Sequence, residues 1–331
     1  MYKNCHIAFT IFCTLIALTG CRKEGGVHGG IIAFMPDISA EVKSKPIDEE
    51  TLSEFNVKAV RIDKQVEYFT GVAKKVENTS IFQLTDTRYW IPDVPMDFYL
   101  WTESAHATYT SIGNRQMTFQ FDATGETAPL ETAPLETMAA ILTDMTEEQT
   151  NNGAIDIEFK HNMSLVEFEL APRSEDKENG KVINGDDIVI KSLSLGNLAT
   201  KGTCTISESS SSWTADEGSR VEWLKQDFTS GGSNEGLRIG KDILAGNKIL
   251  AEGKAESFII IPGQTLEKIE IQFLEGSPLG YSQEISISPG IQLEPGTRYV
   301  LMLAINSKYT MVTGTKITDW ISSGTTDLTI Q

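Results

Sequence analysis

The chain has 331 residues, with 28 lysines and arginines against 46 aspartates and glutamates, and a formal charge of −18. That balance excludes a nucleic-acid binder, which needs a basic face to neutralise phosphates, and fits a secreted or surface protein kept soluble by self-repulsion. At 40% hydrophobic residues the chain is globular rather than disordered, and its length exceeds one ordinary core, so two domains are expected.

Lys3 gives the N-terminus a positive start, and residues 7–18 form an apolar run of twelve, too short for a stable membrane span. With Leu18-Thr19-Gly20-Cys21 behind it, this reads as a signal peptide over residues 1–20. The Leu-x-Gly-Cys ending resembles a bacterial lipobox, which implies cleavage between Gly20 and Cys21 and acylation of the Cys21 thiol. Each buried CH₂ of the acyl chains then adds ~0.8 kcal/mol of membrane anchorage. The alternative is an ordinary signal peptide with an incidental cysteine. Cys5 and Cys13 leave with the signal and only Cys204 remains unmodified, so no internal disulfide can form. Between Thr203 and Thr205, Cys204 reads as a small buried apolar residue rather than a reactive thiol.

Residues 21–30, with four glycines, read as a lipid-anchored tether. Ile31, Ile32, Ala33 and Phe34 make a short strand, closed by Met35-Pro36, and a polar loop with Lys43, Lys45 and Pro46 follows. Residues 55–62 alternate as a strand, and residues 66–76 and 80–85 as a hairpin around Asn78. Residues 96–101 carry bulky side chains on both faces, and Met117, Phe119 and Phe121 alternate. Residues 127–136 duplicate the pentapeptide TAPLE, a surface loop by its prolines. Residues 138–143 read as a short strand or turn. The polar stretch that follows sets a boundary at 153, giving domains 31–153 and 154–331.

Residues 155–170 read as one long strand at the centre of the chain. Ile155, Ile157 and Phe159 share a face; the parity then slips to Val166, Phe168 and Leu170, which predicts a bulge near 165–166. Strand candidates follow at 188–195, 203–206, 257–261, 268–274, 284–287, 299–305, 315–320 and 327–331. Pro-Gly and Asn-Gly turns, such as Asn184-Gly185 and Pro289-Gly290, separate many of them, and 207–219 and 229–236 read as Ser/Gly-rich loops. With no convincing 3.6-residue period, the fold class is mostly β, two sandwiches in tandem.

Catalytic signatures are missing. There is no HExxH, CxxC or G-x-S-x-G, and the mature histidines His28, His106 and His161 lie far apart, so neither a metal nor another cofactor is implied. His161 shares the parity of Phe159 and reads as a core histidine. The run from Gly236 to Asp242 has one residue too few between its glycines for a phosphate loop, and the acidic turns at Asp176 and Asp186-Asp187 lack EF-hand spacing. Trp90, Trp101, Trp213, Trp223 and Trp320 fill cores and cover edges, or else line a sugar-binding face.

Several weak motifs occur in a telling order: the lipobox at Cys21; residues 31–34 followed by Lys45-Pro46-Ile47; Tyr89-Trp90-Ile91-Pro92 before an aromatic strand; Phe159-Lys160-His161-Asn162-Met163; the 293–299 turn and strand; and Ile317-Thr318-Asp319-Trp320. Together they resemble the fimbrillin family of Bacteroides-type bacteria, lipoprotein-precursor pilins and their Mfa-like relatives, across nearly the whole chain. The resemblance implies two transthyretin-like β-sandwich domains and export as an outer-membrane lipoprotein precursor. It also implies a non-enzymatic role as a subunit, accessory or adhesin of a surface fimbrium, whose partners are other fimbrillin subunits. In such pilins a protease removes the first strand and a neighbour's strand fills the groove by β-augmentation. On this chain the removed strand includes Ile31, Ile32, Ala33 and Phe34. Lys43 and Arg61 are the cleavage candidates, Lys45 being blocked by Pro46, and Leu328 and Ile330 belong to a candidate donor strand. A surface lipoprotein that binds host or bacterial glycans and never polymerises is the other reading.

Overall fold

The computed structural model describes residues 29–37, 52–124, 137–151, 153–172, 177–178, 181–182, 189–228, 236–238, 258–274, 282–305 and 310–319. The first ten strands are β1 (Ala33–Asp37), β2 (Glu54–Arg61), β3 (Val66–Lys75), β4 (Phe82–Leu84), β5 (Met96–Trp101), β6 (Ala107–Gly113), β7 (Gln116–Asp122), β8 (Met138–Met145), β9 (Ala154–Glu158) and β10 (Lys160–His161). Then come β11 (Ser164–Pro172), β12 (Lys177–Glu178), β13 (Lys181–Val182), β14 (Val189–Ala199), β15 (Lys201–Ser207), β16 (Ser211–Ala215), β17 (Arg220–Asp227) and β18 (Leu237–Arg238). The last are β19 (Phe258–Ile260), β20 (Thr265–Phe273), β21 (Ser282–Gln292), β22 (Thr297–Ile305) and β23 (Thr310–Asp319). Among the described residues there is no α-helix, and the fold is mostly β as the sequence predicts.

The first sheet has eight strands in the order β10-β8-β5-β2-β3-β4-β1-β9. Its two ends, β9 and β10, are consecutive in the chain with Phe159 alone between them, so the sheet closes on itself and leaves few free edges. Alternation explains its interior: Phe55, Val57 and Ala59 of β2 point in, with Phe98 and Leu100 of β5 and Ile155, Ile157 and Phe159. The second half forms a sandwich. One layer is β19-β11-β22-β23, the other is β17-β14-β20-β21 with β18 on β14, and Phe168, Leu195, Phe258, Ile271 and Leu301 fill the space between.

A further sheet, β16-β15-β7-β6, joins the halves. It is two hairpins, one from each half, zipped antiparallel along β7 and β15 from Lys201↔Asp122 to Ser207↔Gln116. The β6–β7 turn places Asn114 and Arg115 at φ 54° and 58°, the two positive values that a two-residue hairpin requires. This sheet packs Met117, Phe119, Phe121 and Cys204 onto Tyr99, Ile141, Met163 and Leu165, a middle core. Bulky residues on both faces of β5 follow: one face serves the first core and Tyr99 the middle one.

Several readings need correction. Residues 155–170 are three strands, not one. The breaks fall at Phe159 and at Asn162–Met163, and β11 pairs with β22 in unbroken register from Leu165↔Arg298 to Pro172↔Ile305, so no bulge lies at 165–166. The parity slip has another cause. Ile155, Ile157 and Phe159 serve the first core, Met163 and Leu165 the middle one, and Val166 and Phe168 the third. The chain therefore stays with the first sheet past residue 153 and leaves it only after His161. At the crossing Trp213 Nε1 donates to Asn162 O at 2.6 Å and Gly296 N–H to Met163 O at 2.9 Å. The stretch 207–219, read as a loop, contains β16, and Pro289-Gly290, read as a turn, lies inside β21 at a register shift. β6 and β17 were not anticipated; both are edge strands of mixed exposure with no clean alternation.

Candidate functional site

β1 is not on a rim. It lies between β4, antiparallel (Ala33↔Gln83, Phe34↔Phe82), and β9, parallel from Ala33↔Ala154 to Asp37↔Glu158. Ile32 and Phe34 are completely buried. Phe34 meets Phe55 and Phe98 edge-on, with ring centroids 5.8 and 5.9 Å apart. Ile31 points the other way, is exposed, and bridges Tyr89. Burying an Ile and a Phe contributes about 1.5–3 kcal/mol each, so an emptied slot would be an unfavourable apolar cleft.

The pairing begins before β1. Gly29 N–H donates to Trp90 O at 3.1 Å, Trp90 N–H to Gly30 O at 2.9 Å and Ile32 N–H to Arg88 O at 2.9 Å. Gly30 N–H also donates to Glu147 Oε1 at 2.7 Å. Gly29 and Gly30 are thus part of the inserted segment, which corrects their reading as tether. Sequence reasoning missed Glu147 and the part played by these glycines; the Gly-Gly pair directly before Ile31-Ile32 was the available signal.

Arg61 ends β2, between β3 and β5, and its guanidinium grips Asp63 through Nε–Oδ1 (3.0 Å) and Nη2–Oδ2 (2.7 Å). That pair raises the Arg61 pKa and holds Asp63 below the usual carboxylate range. Gly20, Cys21, Lys43, Leu328 and Ile330 lie outside the described residues, as do Trp320, residues 239–242, Asp176 and Asp186-Asp187. Among the described residues of the predicted site, Ile31, Ile32, Ala33 and Phe34 come together. Cys204 is buried, and desolvation pushes its thiol pKa up, so it is the inert core residue expected. His161 is 3% exposed, and burial lowers its pKa to about 4.

The sequence profile of the fimbrillin-like family matches residues 48–320. The chain belongs to that family. It is therefore a fimbrial or adhesion-related protein. The fold is also similar to solved structures. One is a fimbrial protein from Bacteroides vulgatus, at 14% identity, with 87% of this chain and 99% of that one covered and a TM-score of 0.54. Others are a candidate cell adhesion protein from Bacteroides ovatus (14% identity, 90% and 100% covered, TM-score 0.56) and another from Bacteroides uniformis (13%, 88% and 99%, 0.53). No curated protein matches the chain. Among the described residues no helix is long and apolar enough to cross a membrane.

Proposed function

We propose that this fimbrillin-like protein is a non-enzymatic structural or adhesin component of a fimbrium, exported as an outer-membrane lipoprotein precursor acylated at Cys21. Proteolysis between β1 and β2 then releases β1, and a strand of another subunit fills its slot; Leu328 and Ile330 are the donor positions read in the sequence. One observation carries this reading. The segment carrying β1 fills an interior, doubly paired place in a closed sheet, with Ile32 and Phe34 completely buried. A strand at a free edge could be lost without consequence, whereas loss of this one exposes two rows of backbone groups and the pocket of Phe34.

Lys43 is the better cleavage candidate. A cut after Arg61 would require β2 to leave both neighbours and would excise two strands of the closed sheet. A cut after Lys43 falls between β1 and β2 and separates β1 alone. The glycan-binding alternative calls for an exposed aromatic row. Trp90 is buried, Trp213 packs on Phe119 and Phe121, and the Lys268 ammonium lies 4.3 Å from the Trp223 ring centroid. The described tryptophans are therefore divided between the first core (Trp90), the middle core (Trp101 and Trp213) and a cation–π contact (Trp223), and do not favour it.

The test is trypsin treatment of the chain from Arg22. The expected outcome is loss of the residues before 44, followed by concentration-dependent ladders that survive SDS. A product that stays monomeric after that loss would refute assembly.

A further inference from the structure

We propose that the cleft between the outer face of β2, β3 and β5 and the β6–β7 hairpin binds a neutral sugar residue of a glycan, through hydrogen bonds from Gln65, Glu67, Tyr99 and Asn114. This deepens the adhesin reading and rests on it for its purpose. It neither needs nor excludes strand replacement.

The strands set the floor. Val60 stands between Glu67 of β3 and Asp97 of β5, and Lys58 stands beside Tyr99. The β6–β7 hairpin bends over this face and is tied down by side chains. Lys58 Nζ donates to Ile112 O at 2.9 Å, Arg115 N–H to the Tyr99 hydroxyl at 2.8 Å and Arg115 Nε to Asp97 Oδ2 at 3.3 Å. The space between is a cleft of about 480 Å³, within the range of small-molecule sites. A Cβ on Gly113 would meet nothing within 4 Å, so the lip beside the turn is open. β4 separates these floor strands from β1, so the cleft is a different site from the slot.

The lining selects by charge. Lys58 and Arg115 stand against Glu67 and Asp97, and their formal charges cancel. An anion meets the two carboxylates, a cation meets the two bases, and an apolar ligand would strip water from all four. What fits is a neutral ligand whose groups both donate and accept, as sugar hydroxyls do. The bonding capacity is present. Among the described residues the Asn114 side chain makes no hydrogen bond, and Gln65 Nε2 donates to Ile62 O at 3.0 Å, which leaves Oε1 to accept. Glu67 Oε2 lies 3.6 Å from Lys58 Nζ, beyond hydrogen-bond length, so both can still bond a ligand. Burial raises the Tyr99 pKa, so the phenol keeps its proton to donate. Tyr99, the aromatic liner, is 1% exposed and offers no face for stacking, so a single site is weak. Repetition along a fimbrium would supply the strength by avidity. This surface is separate from the tryptophans and compatible with assembly.

The experiment applies the chain from Arg22, biotinylated and gathered on fluorescent streptavidin, to a printed array of neutral and acidic glycans. Neutral glycans are expected to be retained, equally between about 0.05 and 0.5 M salt, a range in which a charge-driven contact fades. Asn114→Gly combined with Glu67→Gln should weaken retention about tenfold, as the loss of two hydrogen bonds implies. Glycine accepts the φ of 54° at residue 114, and an unchanged melting temperature shows that the variant is folded. Should it fail to fold, Gln65→Gly, at a φ of 53°, is expected to lose several-fold by itself. Retention of no glycan, retention of acidic glycans alone with loss in salt, or neutral binding that survives these variants overturns the site. Assembly is read separately from the ladders after trypsin, so either reading can fail while the other stands.

Discussion

Single side chains already separate the roles in this molecule. Phe34 is completely buried against Phe55 and Phe98, so Phe34→Ala should cost about 3–5 kcal/mol in urea unfolding, the usual loss for a buried phenylalanine. After proteolysis the same variant should release its first strand faster. His161 makes a separate prediction. Its folded pKa, about 4, lies below the ordinary histidine value of 6.5 because burial disfavours the imidazolium. As pH falls below 6.5 the unfolded chain is protonated first, so stability is full above that value and declines until pH 4, by at most ~3 kcal/mol. His161→Gln should flatten that part of the profile, measured as urea midpoints from pH 7 to 4. The Asp122 carboxylate, held at about 2 by Lys201 and Thr124, acts only below pH 3.8, where its stabilising interaction is lost with acid, so the two windows do not overlap. Residues of this kind differ in how legible they are. Phe34 and His161 show their burial through parity with their neighbours. Gly29 and Gly30 read as freedom, because nothing local reveals their pairing with Trp90.

At the level of strands, what could be read was what repeats with period two. The hairpin at Asn78, β5 with bulk on both faces, and the alternation of β7 were all visible. β6, β16 and β17 were not, because an edge strand buries little and its side chains are under no alternation. β11 shows a subtler failure. Both of its faces are buried, and its odd positions carry Glu167, in a 2.7 Å ion pair with Arg298 of β22, and Glu169, 2.9 Å from Lys316 of β23. Two buried carboxylates in a strand look like a solvent face until their partners, more than a hundred residues away, are placed. The strand that leaves also makes a prediction. Lys43→Gln should block tryptic release of β1, whereas Arg61→Gln should leave it unchanged, because Arg61 is shielded within the paired β2. N-terminal sequencing of the product checks this: a chain beginning at residue 44 supports the assignment, and one beginning at Ile62 reverses it.

The whole molecule is more tightly joined than two sandwiches in a row. Hairpins from the two halves share one sheet, and residues 155–168 feed three cores in succession. Pairing of β7 with β15 spans about eighty residues of chain and leaves no mark in local sequence, so the shared sheet was not legible there. The interlock has a cost for dissection. A fragment ending at 153 lacks β9 and β10, which flank β1 and β8, and loses Ile155, Ile157 and Phe159 from the first core. Three such side chains contribute about 1.5–3 kcal/mol each, a sum comparable with the whole stability of an ordinary domain at about 5–15 kcal/mol. Residues 22–153 should therefore fail to fold. Extension to 162 restores β9, β10 and the first core but leaves the edge of β7 bare. That longer fragment should fold and then self-associate, because an uncovered apolar strand edge invites another chain. Circular dichroism and size-exclusion chromatography of the two fragments test this. A folded, monomeric 22–153 would mean that the shared sheet and the closing strands contribute little to the unit they complete.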